Sequence, residues 1–206
     1  MLSHGIRVTD EFNRLSSEDV SRDLPAEIES RWRLVETAWR LQLSRSMVIT
    51  YDSTDEMLLL PDRSLRRAPV TGSRSALNGY QRGICFYCGC DISLTDLSKR
   101  PDVDHFFPHV LKTRTGSTAV DGVWNLVLSC RECNRGAKGK SDRIPSLRLL
   151  EKLYARNEYL ITSHHPLRKT LVAQTGSDAV QRRMFLRDMH QRSLPVLLHT
   201  WDPPQR

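Results

Sequence analysis

The sequence predicts an α+β fold in which a small cysteine-clamped core lies between an N-terminal helix and hairpin and a helical C-terminal part. Three observations carry this expectation. Two Cys-x-x-Cys pairs, Cys85/Cys88 and Cys130/Cys133, enclose 41 residues. Short strand-like runs occur at Met47–Tyr51, at Glu56–Leu60 and just before His105. Helical periodicity marks the segment 25–45 and most of the chain after residue 146. The expected divisions are an extension over 1–72, a core over 73–145 and a helical extension over 146–206.

Taken in order, Pro25 suits a first helical turn, and Ile28, Trp32, Val35 and Trp39 recur at helical spacing. That stripe is expected to pack against the core, with a second copy as the other occupant. The two runs around 47–60 read as a hairpin turning through Asp52-Ser53-Thr54-Asp55, closed by Pro61. Residues 62–75 read as a basic loop with Arg63, Arg66, Arg67 and Arg74, and a short helix from Ser73 to Gln81 feeds the first cysteine pair. Beyond the second pair, helices are expected over 146–162, 166–174 and 177–191. Gly176 stops the second of these and Ser177 caps the third.

The bulk properties exclude some classes. No apolar run approaches the roughly 18 residues a membrane span needs, and residues 1–20 are polar, so no signal peptide and a cytoplasmic protein are expected. Disulfides seldom persist there, and paired cysteines then read as metal ligands. The net charge is +7, divided as −5 over residues 1–62, +7 over 63–143 and +5 over 144–206. The basic residues are mostly Arg, whose planar fork suits phosphate oxygens, so a polyanion partner fits the middle and the tail.

Cys85, Cys88, Cys130 and Cys133 can supply four thiolates to one Zn²⁺ in two bites. Gly89 would let the backbone turn beneath the ion. Four cysteines leave no open position for water, so this zinc is structural, and Cys90 is left over as a bystander. Between the pairs lie Asp104-His105, then Asn125, with Asn134 directly after the last cysteine. A histidine suits the base that deprotonates water, since its pKa lies near neutrality. A carboxylate and an amide oxygen suit a hard ion, so Asp104 and Asn134 are candidate ligands for Mg²⁺ or Mn²⁺, and Asn125 can orient His105. In a regular strand Asp104 and His105 point to opposite faces, so sharing a site requires the strand to end or twist at Phe106-Phe107-Pro108.

The run Val103-Asp104-His105-Phe106-Phe107-Pro108, followed by Trp124-Asn125-Leu126-Val127-Leu128-Ser129-Cys130-Arg131-Glu132-Cys133-Asn134-Arg135, resembles the HNH endonucleases of the ββα-metal class, in the branch clamped by a four-cysteine zinc site. The resemblance covers about residues 82–143. It implies a two-stranded hairpin packed on one helix, with His105 as general base, Asn125 as its orienter and Asn134 as a metal ligand, where many members carry His.

Arg135, Lys138 and Lys140 are expected to hold flanking phosphates, with a solvated basic face as the alternative. His109 reads as a surface or packing residue with a second metal ligand as its alternative, Arg66 and Arg67 either grip DNA backbone or keep their loop soluble, and the His164-His165 pair reads as a loop or cap. The expected activity is divalent-dependent hydrolysis of DNA phosphodiesters, with RNA left open as a substrate. The competing class is a non-catalytic zinc module that binds nucleic acid. Free-standing HNH nucleases of this size resemble components of bacterial restriction and antiphage systems, toxins or mobile elements, so a partner protein of a defence or mobile-element system and a homodimer enter as expectations.

Overall fold

The computed structural model describes residue 10 and residues 24–40, 49–61, 67–115 and 118–204. Helix α1 (Leu24–Arg40) carries Pro25 in its first turn. The expected continuation to residue 45, and Met47 and Val48 of the first strand, lie outside the described residues. The face that α1 turns inward differs from the one the sequence suggests. Ile28 and Trp32 are 57% and 50% exposed, whereas Ser30 and Leu34 are buried. The small serine at position 30 suits close approach to the neighbouring helix and strand, and Trp32 instead lies along the helix surface, donating to Glu36 at 2.6 Å.

Strands β1 (Thr50–Asp52) and β2 (Met57–Pro61) form the expected antiparallel hairpin, and a third strand, β3 (Arg67–Gly72), pairs with β2. The sequence reads this stretch as part of a basic loop over residues 62–75, and Pro69 lies within it. The register shifts between Leu58 and Leu59, opposite Pro69, so a local irregularity accommodates a residue that has no N–H for the ladder. Helix α2 (Ser73–Gln81) follows at once and is docked on the core by Gln81. The Gln81 side chain imitates a strand: Nε2 donates to Leu128 O at 2.7 Å and Oε1 accepts from Leu128 N at 2.8 Å.

The core unit is a hairpin and a helix. Strand β4 (Asp102–His105) pairs antiparallel with β5 (Leu126–Ser129), and helix α4 (Arg131–Arg135) follows directly. The connection holds a short helix α3 (Val110–Thr115) and two 3₁₀ turns, Thr118–Asp121 and Val123–Asn125. All four residues of β5 are buried, which fits the unbroken apolar run Leu126-Val127-Leu128.

Behind the hairpin stand α5 (Leu147–Thr162), α6 (Arg168–Thr175) and α7 (Ala179–Ser193). The cap of α7 is Asp178, which accepts from Gln181 N, one residue later than Ser177. A short parallel pair, β6 (Ile144–Pro145) with β7 (Thr200–Trp201), returns the C-terminal segment to the core. Helix α5 supports the hairpin through buried polar groups. Arg156 donates to Trp124 O at 3.0 Å and Leu126 O at 2.6 Å, and Asn157 donates to Trp124 O at 3.2 Å. Among the described residues no helix is long and apolar enough to cross a membrane.

Replacing Arg156 by Leu leaves two carbonyls short of their guanidinium donor at the start of β5. The expected loss of stability is about 2–4 kcal/mol, read as a lower denaturant midpoint at constant slope. An unchanged midpoint would show that this side chain does not hold the strand.

Candidate active site and metal centre

Five thiols converge where the first cysteine turn meets the end of β5. The Sγ atoms of Cys85, Cys88, Cys90 and Cys130 all lie within 4.8 Å of one another, a group that can hold zinc. Cys133, on α4, shares a hydrogen bond with Cys85. Cys90 is therefore no bystander, because the turn at Gly89 (φ 74°) swings it back toward the others, and the Cys85 amide donates to Cys90 O at 2.8 Å. The Cys85 thiol is pushed down to about 4, first by its hydrogen bond with Cys133 and, against the cost of burial, by backbone amides including that of Cys130. A thiolate stabilised in this way suits a soft-to-borderline cation, and the all-sulfur donor set fits Zn²⁺ in a structural role.

His105 ends β4 and faces a groove of about 690 Å³, which also receives Tyr51, Asp52, His109, Lys112 and Asp121. Tyr51 meets its ring edge-on at 5.7 Å between centroids, and His109 at 5.5 Å. Burial, and next the charge of His109, push the His105 ring down to about 4, against the pull of Asp121. The imidazole is therefore neutral at neutral pH, the state a general base requires. Burial, and next Glu56, push the Tyr51 phenol up to about 12, so it stays protonated beside the ring.

Asn125 is fully buried and spends its side chain on backbone. Its Oδ1 accepts from Phe107 N at 2.8 Å, while Nδ2 donates to Phe107 O at 2.9 Å and Val120 O at 2.8 Å. These bonds bracket the chain just past His105. The amide holds the loop that follows His105 rather than the ring itself, through hydrogen bonds to two backbone carbonyls and one backbone amide.

The remaining expected ligands lie on the other face of the strand. Register is unbroken from Asp102↔Ser129 to His105↔Leu126, so β4 keeps its alternation through both residues and Asp104 turns away from His105. Asp104 is buried, accepts from the Tyr87 hydroxyl at 2.6 Å and pairs with Lys140 Nζ at 3.3 Å. Burial pushes its carboxyl up, with Lys140 and Tyr87 opposing. Asn134 donates to Asp102 Oδ2 at 3.1 Å rather than meeting Asp104. A hydrated hard ion needs open oxygen ligands and room for water. With both Asp104 oxygens already engaged in the interior, these residues as arranged do not fit a catalytic Mg²⁺ or Mn²⁺.

Lys140 requires a correction as well. Expected to hold phosphate, it is 1% exposed, because beyond its pairing with Asp104 it donates to His105 O at 3.0 Å and Ser141 O at 3.1 Å. It serves as an internal cation beneath the strand. Arg135 and Lys138 remain at the surface, Arg135 paired with Asp102 at 3.0 Å. His165 is buried and accepts from Leu167 N through Nδ1 at 3.1 Å, a local cap ahead of α6. The groove residues Asp121 and Lys112 escape sequence reasoning, and His109, expected at the surface, lines the groove beside them. They come from separate turns whose meeting depends on the loop fold.

A thiol cluster that clamps a hairpin of two four-residue strands to a short helix, with a histidine closing the first strand above an open groove, defines a zinc-compatible ββα core. Residues 85–146 match the family model described as HNH endonuclease, so this chain carries an HNH endonuclease domain. That family points to nuclease chemistry on nucleic acid. No curated protein and no solved structure matches the chain.

Two outcomes check this geometry. Cys85→Ser and Cys130→Ser each remove a thiol from the centre of the cluster, and purified protein should lose both bound zinc and cooperative unfolding; full zinc occupancy in either variant would contradict a metal centre there. Lys140→Met alone strands the Asp104 carboxylate and should cost about 3–5 kcal/mol, whereas Lys140→Met with Asp104→Leu should recover most of that loss. Equal losses in the single and double variants would show that the two groups are not coupled.

Proposed function

We propose that the protein is an endonuclease that hydrolyses DNA phosphodiester bonds, with His105 as the general base. What carries the reading is a neutral imidazole at the lip of a 690 Å³ groove, inside the segment that matches the HNH endonucleases. His105 takes a proton from water as the water oxygen attacks phosphorus in line, and the bond from phosphorus to the 3′ oxygen breaks. The Asn125 amide holds the chain that carries the ring, which limits how far the base can drift from the attacking water. Zinc in the thiol cluster supplies no chemistry and fixes the strands and α4. No step is routed through a divalent ion at Asp104. The net charge of +7, concentrated after residue 62, supports a polyanionic substrate, and Arg135 and Lys138 are available for its flanking phosphates. As biological setting we propose an effector nuclease of a restriction or antiphage system, with a partner protein supplying recognition. Its support is the contrast between a basic nuclease core and an acidic segment of 62 residues ahead of it.

Supercoiled plasmid incubated with the protein, with and without added Mg²⁺, should be nicked or linearised by wild type and left intact by His105→Ala, with zinc content the same in both. Cleavage by His105→Ala at the wild-type rate removes the assignment of the base.

A further inference from the structure

The reaction above assigns no residue to the departing 3′ oxygen, and the carboxylate beside His105 in sequence is engaged by Lys140 and Tyr87. The groove holds a second acid–base group that no element of the reaction has used. We propose that His109 is the general acid of this hydrolysis, giving a proton to the 3′ oxygen as its bond to phosphorus breaks, and that Asp121 is the positioning residue for its ring. This rests on the reading of His105 as base and adds a catalytic residue within the same groove.

The two rings are neighbours, with centroids 5.5 Å apart and planes inclined at 65°, and both line the groove. A phosphate bound there would have nitrogen atoms from separate rings within reach of its entering and leaving oxygens. His109 Nε2 faces Asp121 Oδ1 at 3.4 Å, and the second oxygen of Asp121 accepts from Lys112 Nζ. The carboxylate thereby provides a fixed partner for one ring nitrogen and a counter-charge for the ring when it carries two protons. The other nitrogen is left for substrate. His109 is 53% exposed, as a group that meets a ligand from solvent must be.

The pairing is built by the fold. Pro108 precedes His109 and fixes the backbone entering α3, where Lys112 N returns to His109 O at 2.9 Å. Asp121 ends a 3₁₀ turn some distance along the chain. Asn125 joins the two, because its Nδ2 donates both to Phe107 O, two residues before His109, and to Val120 O, one residue before Asp121. One buried amide thus sets the base, the acid and the acid's partner in register. A metal-ligand role for His109 has less support: among the described residues the group with ligand atoms in mutual reach is the thiol cluster, and His105, His109 and Asp121 do not form a second.

Proton balance gives the test. His105 gains the proton of water, His109 loses one to the 3′ oxygen, and solvent restores both. An aryl ester of thymidine 5′-phosphate that expels p-nitrophenolate needs no proton on its leaving group, so it isolates the acid. Full-length His109→Gln should cut DNA about 10²–10⁴-fold more slowly than wild type, while its hydrolysis of the p-nitrophenyl ester falls by less than about ten-fold. Asp121→Asn should show the same split with a smaller loss on DNA. His105→Ala should lose both substrates; if it retains both, the base assignment fails, independently of His109. If a folded His109→Gln protein cleaves DNA at the wild-type rate, or loses both substrates equally, His109 is not the general acid.

Discussion

A cluster of thiols holds together elements that are each too small to stand alone. The β4–β5 hairpin has four residues per strand and α4 has five, both below the size at which a hairpin or helix persists in water. Cys88 and Cys130 Sγ approach to 3.8 Å, about the spacing of two sulfurs that share one tetrahedral ion at Zn–S bonds of about 2.3 Å. Structural zinc contributes about 10–16 kcal/mol to small thiolate domains, as much as the whole net stability of an ordinary domain, about 5–15 kcal/mol. A zinc held there would therefore decide whether His105 has a strand to end. Apolar packing by Phe86, Phe106 and Trp124 and the buried Arg156 shape the elements around the thiol cluster.

Buried polar groups divide the strand into two faces with different duties. On the inner face, Asp104 and Lys140 pair beside Tyr87, and the ammonium also grips the carbonyl of His105. On the outer face the His105 ring is kept neutral by burial and by its neighbour His109. The alternation of a regular strand enforces this separation, so the residue that anchors the strand and the residue assigned the chemistry are adjacent in sequence and opposed in space.

Much of this was legible before any coordinates. The paired cysteine spacings, the order Asp104-His105, Asn125 and Asn134, and the helices over 73–81 and 147–162 all follow from local pattern. What stayed hidden depends on geometry across the chain. Strand β3 lacks an alternating pattern because Pro69 sits at its irregularity. Cys90 breaks the two-residue spacing, and only the left-handed turn at Gly89 returns it to the cluster. Lys140 reads as a surface charge, since lysine is rarely fully buried unless paired, and its partner Asp104 is 36 positions earlier. The His109–Asp121 contact joins a loop to a 3₁₀ turn with no periodic signal between them.

The most direct measurement of the central claim is single-turnover DNA cleavage by zinc-loaded wild-type protein as pH is lowered from about 7 to about 5.5. A base is active in its unprotonated form, so its acid limb follows its own pKa. With the His105 ring lowered to about 4, the rate should not fall across that range. A tenfold loss centred near pH 6.5, the ordinary value for a solvated histidine, would contradict a half-buried, neutral imidazole as the group that activates water.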